Sequence, residues 1–194
     1  MEESSFGRQR CSEVFQQNGS VMYASDEMER IKEIIGHYPE GRQKSALLPV
    51  LHIAQQELGG YLCVDVMDYV ASLLNIQPVE VYEAATFYTM FHLEPVGKYV
   101  IEVCQTGPCA ICGGEQILEH LKKTLGINVG ETTSDGIFTL KTVECLGACG
   151  TAPVMQVNTE FHESLTTEKM DQIIGDLKEK SNGKTSEVRW AELF

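Results

Sequence analysis

The sequence has few basic residues, and this shortage excludes a class of partners. Lysine and arginine together number 15, against 28 aspartates and glutamates, so the formal net charge is −13. A chain this acidic repels the phosphates of nucleic acids and the headgroups of anionic membranes. We therefore expect no nucleic-acid partner. The acidity leaves two interpretations open, simple solubility or the docking of a basic partner.

Long apolar runs are also missing. No stretch approaches the ~18 apolar residues that a membrane-spanning helix requires, and the first 15 residues lack the apolar segment of a secretory signal. We therefore expect no direct membrane insertion and a reducing compartment. In such a compartment, clustered thiols more often bind metal or carry out redox chemistry than form structural disulfides.

Fingerprints of nucleotide binding are absent as well. No G-x-G-x-x-G follows a predicted strand, and no G-x4-G-K-[ST] occurs, so the sequence predicts no dinucleotide or nucleoside-triphosphate site. The five histidines show no C-x-H pairing of the kind that a Rieske centre needs. These absences direct attention to the seven cysteines.

The spacing of apolar residues predicts an all-α four-helix domain over residues 25–94. Four segments place apolar side chains at helical spacing, and short connections containing proline or glycine separate them. The predicted helix starts are Ser25, a position near Ser45, Asp65 and Pro78. Residues 1–24 show no clear period and are predicted to form an N-terminal arm.

Residues 95–180 change to the pattern of an α/β domain. Short β-branched segments alternate with helical segments, an order that predicts a sheet layered with helices. The predicted strands cover residues 98–104, 137–145 and 153–158, with a short fourth strand after Asn158. Gly113 and Gly114 precede one predicted helix, and Thr166 caps the last. Residues 181–194 are predicted to form a C-terminal tail.

Five cysteines lie in two clusters, each after a predicted strand. Cys104, Cys109 and Cys112 lie in CQTGPCAIC, and Cys145 and Cys149 lie in CLGAC. Loops at the ends of strands in one sheet can aim at one point. From spacing alone, several chemistries compete: a Cys109–Cys112 dithiol, a plant-type ferredoxin site built on the first loop, or a [2Fe-2S] cluster with two ligands from each loop. Zinc is a further rival, although its sites favour C-x2-C pairs and the gaps here are wider.

The sequence resembles the thioredoxin-like [2Fe-2S] ferredoxin family. The resemblance lies in the order C-x4-C, 35 intervening residues, then CLGAC followed by Ala-Pro and an apolar strand. The stretches LLPVLHIAQQELGGYL, VYEAATFYTMF and VGETTSDGIFTLKTVECLGACGTAPVMQVN are similar to the E subunits of NADH-quinone oxidoreductase, respiratory complex I. The resemblance covers roughly residues 25–180 and implies a thioredoxin-like [2Fe-2S] domain preceded by the all-α four-helix domain.

The resemblance also implies a site and a role. It implies one [2Fe-2S] cluster bound by Cys104, Cys109, Cys145 and Cys149, with Cys112 outside the ligand set. The chain is then an electron-transfer subunit, an oxidoreductase component without its own NADH site. FMN and NADH belong to the partner, the NADH- and FMN-binding subunit of complex I, which links the chain to the rest of the peripheral arm. The implied location is cytoplasmic, peripheral on the inner face of the bacterial membrane, or the mitochondrial matrix for a processed organelle protein.

Two alternative roles remain open. One is the equivalent diaphorase subunit of an NAD-linked hydrogenase or formate dehydrogenase, and the other is a stand-alone thioredoxin-like redox or zinc-binding protein. Outside the clusters, Cys11 and Cys63 are predicted to be incidental free thiols. The aromatic run of Phe87, Tyr88 and Phe91 is predicted to pack in the core.

Overall fold

A computed structural model of the protein describes residues 25–57 and 60–182. The predicted N-terminal arm, and the predicted tail beyond residue 182, lie outside these ranges. The chain divides into two compact units, one ending at Pro95 and the other starting at Val96. Within the described ranges, no helix is both long and apolar enough to cross a bilayer.

The first unit is a helical bundle. Its described part contains four α-helices: α1 (Ser25–Gly36), α2 (Leu47–Glu57), α3 (Val64–Leu74) and α4 (Pro78–Phe87). A 3₁₀ turn, Gln43–Ala46, runs directly into α2. Pro49 lies in the first turn of α2, where its missing N–H would have had no partner within the helix.

The apolar faces of the four helices meet in one core. Its buried members include Ile31 from α1; Val50, Leu51 and Ala54 from α2; Val66, Val70 and Leu74 from α3; and Val81 and Ala85 from α4. Burying one such aliphatic side chain stabilises the fold by ~1.5–3 kcal/mol. The helical spacing of apolar residues in the sequence therefore corresponds to the side chains that are buried in this core.

Local signals fix the two ends of the connection between α3 and α4. Asn75 ends α3 with the left-handed conformation φ 51°, and its N–H bonds the carbonyls of the last turn. Pro78 opens α4, and the Gln77 N–H donates to Glu80 Oε2 at 3.0 Å. Asparagine tolerates the left-handed region and proline suits a first turn, so both boundaries follow from residue type.

The apolar spacing after Pro78 predicts a helix that carries Tyr88 and can reach Met90. The helix α4 instead ends at Phe87, and Tyr88 has an extended backbone. Phe91 is buried, but Phe87 is 78% exposed and Tyr88 is 40% exposed. The prediction of core packing is therefore correct for Phe91 and wrong for the other two aromatics. Because the helix stops, the helical spacing no longer decides which side chains face inward.

The second unit is a four-stranded sheet with helices. Its described elements are β1 (Tyr99–Cys104), α5 (Gly107–Ile111), α6 (Gly114–Leu125), β2 (Phe138–Val143), β3 (Met155–Val157), β4 (Glu160–His162) and α7 (Thr167–Asn182). The strand order is β2-β1-β3-β4. β1 pairs with β2 in parallel and with β3 in antiparallel orientation, and β3 pairs antiparallel with β4. The short helix α5 was not predicted from the sequence.

The core of this unit lies between the sheet and the helices α6 and α7. It includes Ile101 and Val103 of β1, Phe138 and Leu140 of β2, Ile117 and Leu121 of α6, and Met170 and Ile174 of α7. The chain therefore has the predicted α/β architecture preceded by a helical region.

Candidate metal centre

The two cysteine clusters lie at one edge of the sheet. Cys104 is the last residue of β1, and it is in register with Val143, the last residue of β2. Because these strands are parallel, both chains leave the sheet in the same direction. The first loop leads to Cys109 in α5, and the second carries Cys145 and then Cys149, where a short 3₁₀ turn begins.

Backbone hydrogen bonds hold the two loops together. The Cys104 N–H donates to the Val154 carbonyl at 3.2 Å, and the Gln105 N–H donates to the Val143 carbonyl at 3.0 Å. Residues at the start of the first loop are thus bonded to Val143, which precedes the second loop, and to Val154, which follows it. Such attachment limits the movement of the thiols relative to one another.

The thiols differ in exposure. Cys104 and Cys109 are buried and pack against Val154, whereas Cys145 and Cys149 are exposed. Partly buried Leu146, Ala148 and Ala152 pack against the buried pair. The walls of the site are therefore apolar, and in an apolar environment a charged sulfur depends on hydrogen-bond donors.

Donors surround the Cys104 sulfur. Burial raises the pKa of the Cys104 thiol, but the N–H groups of Thr106 and Leu146, the Cys109 thiol and the Thr106 hydroxyl lower it, and the net pKa lies below the usual range. A lowered thiol pKa means that the protein stabilises the thiolate, the form that binds metal. Leu146 belongs to the second loop, so both loops contribute donors.

The Cys109 sulfur connects the two clusters electrostatically. Burial raises its pKa, and the Cys104 thiol raises it further; the N–H of Val154 acts in the opposite direction, and the charge of Cys149 adds to the increase. Cys109 therefore lies close to Cys104 in its own loop and close enough to Cys149 in the other to interact with its charge. Negative charge concentrated in this way favours a bound cation.

Two glycines shape the site. Gly147 adopts φ +74°, a left-handed conformation, and donates its N–H to Cys145 Sγ at 3.3 Å. Gly114 opens α6, and a Cβ there would lie 2.8 Å from the Cys109 carbonyl oxygen and 3.4 Å from that of Cys104. The positive end of α6 can therefore lie directly against the loop that carries the buried thiols.

The remaining cysteines occupy other environments. Cys112 ends α5 with its thiol exposed, and its N–H bonds the Pro108 carbonyl at 2.9 Å. Cys63 is disulfide-bonded, so the prediction of a free thiol is wrong for this residue. Cys11 lies outside the described residues. Cys109 is buried whereas Cys112 is exposed, so the two cysteines of the C-x-x-C pattern lie in different environments.

The next question is which kind of metal group the thiols of the two loops suit. Among residues 25–57 and 60–182, no three His, Cys, Asp or Glu side chains converge closely enough to bind a single metal ion. The donors that the two loops do supply are thiols, and cysteine thiolates are the ordinary ligands of a [2Fe-2S] cluster, which takes two of them at each iron.

Sequence reasoning missed the donors that surround the sulfurs. The N–H groups of Leu146 and Val154 reach the buried thiols only through the tertiary fold, and no local pattern marks them. The helix α5 did leave a signal, because Thr106 is a residue type favoured at helix starts and Pro108 suits a first turn. That signal would also have drawn attention to Thr106 itself.

Comparisons with known proteins cover most of the chain, across both units. Residues 31–178 match the profile of a family described as thioredoxin-like [2Fe-2S] ferredoxin. The E subunit of NADH-quinone oxidoreductase from Rickettsia conorii is 48% identical over 147 residues, covering 76% of this chain and 88% of that protein. The E subunit numbered 2 of the same oxidoreductase from Rhizobium meliloti is 49% identical over 146 residues, covering 75% of this chain and 85% of that protein.

Similarity to a solved structure supports the fold. The crystal structure of an NAD+-reducing [NiFe]-hydrogenase in the H2-reduced state contains a chain that superposes with a TM-score of 0.62 at 21% identity, covering 75% of this chain. This chain spans only 23% of that hydrogenase chain. At this identity the likeness concerns the fold alone. The family profile and the curated relatives show that the chain belongs to the thioredoxin-like [2Fe-2S] ferredoxin family, together with the E subunits of NADH-quinone oxidoreductase.

Proposed function

We propose that the chain is the electron-transfer subunit of the NADH-oxidising module of NADH-quinone oxidoreductase. It holds one [2Fe-2S] cluster on Cys104, Cys109, Cys145 and Cys149. The observation that carries this proposal is that the parallel strands β1 and β2 end in register, at Cys104 and Val143, so both cysteine clusters follow the sheet at the same edge. That arrangement brings the two clusters of thiols to one site.

The chemistry of the site fits the cluster. Cysteine thiolates are the ordinary ligands of iron–sulfur clusters, and the N–H groups around Cys104 and Cys145 offset the negative charge on sulfur. Apolar Leu146, Ala148 and Ala152 limit access of water to the buried pair. When bound, the cluster supplies a one-electron carrier. The residues of the chain hold it, balance its charge and fix its position at the sheet edge.

The relatives and the sequence support a flavin subunit as the partner. Relatives at 48–49% identity are named as subunits of NADH-quinone oxidoreductase, and the sequence has no dinucleotide fingerprint. The NADH and FMN sites therefore belong to a separate flavin subunit, which exchanges electrons with the cluster over a short distance and connects the chain to the rest of the peripheral arm. The complex lies peripherally on the inner face of the bacterial membrane, or in the mitochondrial matrix for an organelle protein.

The helical unit offers a surface for this partner. Four large apolar side chains follow one another from the end of α4: Phe87 (78% exposed), Tyr88 (40%), Met90 (37%) and Leu93 (42%). Exposed apolar side chains grouped in this way are typical of interaction sites, and aromatic residues often dominate binding energy. We call this group the Phe87–Leu93 surface and assign it to contact with the flavin subunit.

The hydrogenase alternative has weaker support. The likeness to the hydrogenase chain is confined to the fold, at 21% identity, whereas the relatives from NADH-quinone oxidoreductase share 48–49% identity with this chain. We therefore assign the chain to NADH-quinone oxidoreductase.

Electron transfer is tested by reducing the cluster through the partner. The full chain, purified anaerobically, is mixed with NADH alone and with NADH plus the purified flavin subunit, and EPR spectra are recorded after freezing. We expect a reduced-cluster signal only when the flavin subunit is present. Reduction by NADH without the partner, or no reduction in its presence, would contradict the proposed role.

The ligand assignment is tested by single cysteine-to-serine variants. Cys104→Ser, Cys109→Ser, Cys145→Ser and Cys149→Ser should each lose iron or alter the EPR signal. Cys112→Ser is the matched control, because its thiol is exposed in the same loop, and it should keep wild-type iron and EPR. Iron loss from Cys112→Ser equal to that from Cys109→Ser would show that the ligand set is wrong.

Docking is tested with a variant of the Phe87–Leu93 surface. Phe87→Ser should retain the cluster but bind the flavin subunit at least tenfold more weakly, since truncating a central aromatic commonly costs ~2 kcal/mol or more. Val64→Ser is the control, because Val64 is 59% exposed on the same unit but outside this surface. Equal affinities for the two variants would remove this surface from the interface.

A further inference from the structure

Thr106 occupies a helix start but does not cap the helix. It lies at the N-cap position of α5 with φ −69° and ψ 158°, and its side chain makes no capping hydrogen bond. A threonine at this position usually accepts a hydrogen bond from one of the next backbone N–H groups. Here Pro108 removes one of those donors, since proline has no N–H. The hydroxyl is therefore available for another contact.

The Thr106 hydroxyl is buried without a conventional partner. Its Oγ1 atom is inaccessible to solvent and has no hydrogen-bond partner of normal geometry within the described part of the chain. A buried hydroxyl left unpaired destabilises the fold. The backbone of Thr106 is fixed nevertheless, because its carbonyl accepts the Ala110 N–H at 3.0 Å. The unpaired group is thus held in place.

The group next to this hydroxyl is the Cys104 sulfur. Thr106 follows Cys104 by two residues, and its N–H points to the same sulfur. Both the N–H and the hydroxyl of Thr106 lie close enough to the Cys104 sulfur to interact with it. A hydroxyl hydrogen directed at sulfur forms a strong bond only when the sulfur is a charged thiolate. A neutral thiol leaves the same hydroxyl poorly satisfied.

We propose that the Thr106 hydroxyl donates a hydrogen bond to the Cys104 thiolate in the cluster-bound protein and thereby raises the reduction potential of the cluster. The inference rests on the proposed function, because it takes Cys104 as a ligand. Reduction adds one electron to the cluster and places more negative charge on its sulfur ligands. A donor at one of these sulfurs stabilises the reduced form more than the oxidised form.

The test is an EPR-monitored redox titration of the full, anaerobically purified chain. Thr106→Val removes the hydroxyl and keeps the shape of the side chain. We expect it to make reduction about tenfold less favourable, a potential lower by about 59 mV for one electron. Thr106→Ser retains a hydroxyl and should keep the wild-type potential. Thr142→Val is the matched control, since Thr142 is a half-buried threonine of β2 in the same unit, and its potential should not change.

The outcomes separate the inference from the proposed function. A wild-type chain without iron and sulfide would defeat the proposed function. A loaded Thr106→Val protein with wild-type potential would overturn only the role of Thr106. If Thr106→Val does not load, Thr106→Ala replaces it. Loss of the cluster from both, with a normal Thr106→Ser protein, would support a hydroxyl contact with the site, whereas equal loss from Thr106→Ser would overturn it.

Discussion

Replacing Gly114 with alanine tests whether α6 must pack directly against the ligand loop. A Cβ at Gly114 would lie 2.8 Å from the Cys109 carbonyl oxygen and 3.1 Å from its carbonyl carbon. Backbone atoms cannot rotate away as a flexible side chain can. The helix or the loop must therefore move, and the loop carries a proposed ligand.

The magnitude follows from two opposing effects. Forcing an extra carbon into a packed site usually costs ~1–3 kcal/mol, while alanine favours a helix over glycine by up to ~1 kcal/mol. We expect the steric effect to dominate and Gly114→Ala to reduce the free energy of unfolding by ~1–2 kcal/mol. The displaced loop should also reduce the iron content of the purified protein.

Two alanine variants provide controls for this experiment. Gly107 is the first residue of α5, the short helix that carries Cys109, and Gly175 lies in α7; a Cβ at either position meets nothing within 4 Å. Gly107→Ala should keep its iron content. Gly175→Ala should stabilise the fold by ~0.5–1 kcal/mol, as expected at an exposed helix position. Stability is measured by urea unfolding and iron by chemical analysis.

A clear result would refute the reasoning. If Gly114→Ala retains wild-type stability and wild-type iron, the close approach of α6 to Cys109 has no energetic importance. If Gly107→Ala loses as much iron as Gly114→Ala, the loop is sensitive to any substitution, and the contact at Gly114 explains nothing.

Three further predictions concern pH, packing and activity. Burial lowers the pKa of His162, so the folded state binds a proton at this imidazole less readily than the unfolded state does. The free energy of unfolding is therefore unaffected by this group above the ordinary pKa of about 6.5, and it decreases as the pH falls from there toward the lowered pKa of the folded state. His162→Gln should therefore lose less stability than wild type between about pH 7.5 and pH 5, and equal losses in urea unfolding would contradict this. Leu121 is fully buried, so Leu121→Ala should cost ~2–5 kcal/mol in the free energy of unfolding; a cost under ~1 kcal/mol would show a loosely packed core. The flavin-free chain should not reduce ferricyanide with NADH, and measurable activity would reveal a nucleotide site that the sequence does not show.

The elements of the fold were largely predictable because local residue types reinforce the apolar pattern. Asn75 and Pro78 mark the boundary between α3 and α4, and β1 and β2 fall within the β-branched segments of the sequence. The end of α4 was not predictable from spacing. Phe87 continues the apolar pattern, yet its side chain is exposed, since hydrophobicity alone does not distinguish a core residue from a surface that binds another protein.

The position of both cysteine clusters at one edge of the sheet was predictable, whereas the hydrogen-bond donors around the sulfurs were not. The spacing of the cysteines and the family resemblance indicate which thiols to consider as ligands. The position of both clusters directly after strands indicates that they lie near each other. The donors are a different matter: the Val154 N–H lies far along the chain from Cys109, and only the fold brings the two together. The availability of the Thr106 hydroxyl likewise depends on the geometry at the start of α5.

The central claim is that two loops hold one [2Fe-2S] cluster, and metal analysis combined with EPR tests it most directly. The full chain is purified without oxygen, assayed for iron, acid-labile sulfide and zinc, and then reduced with dithionite. The account predicts two irons and two sulfides per chain and a rhombic signal from a single unpaired electron. One zinc per chain with no iron and no sulfide would contradict it.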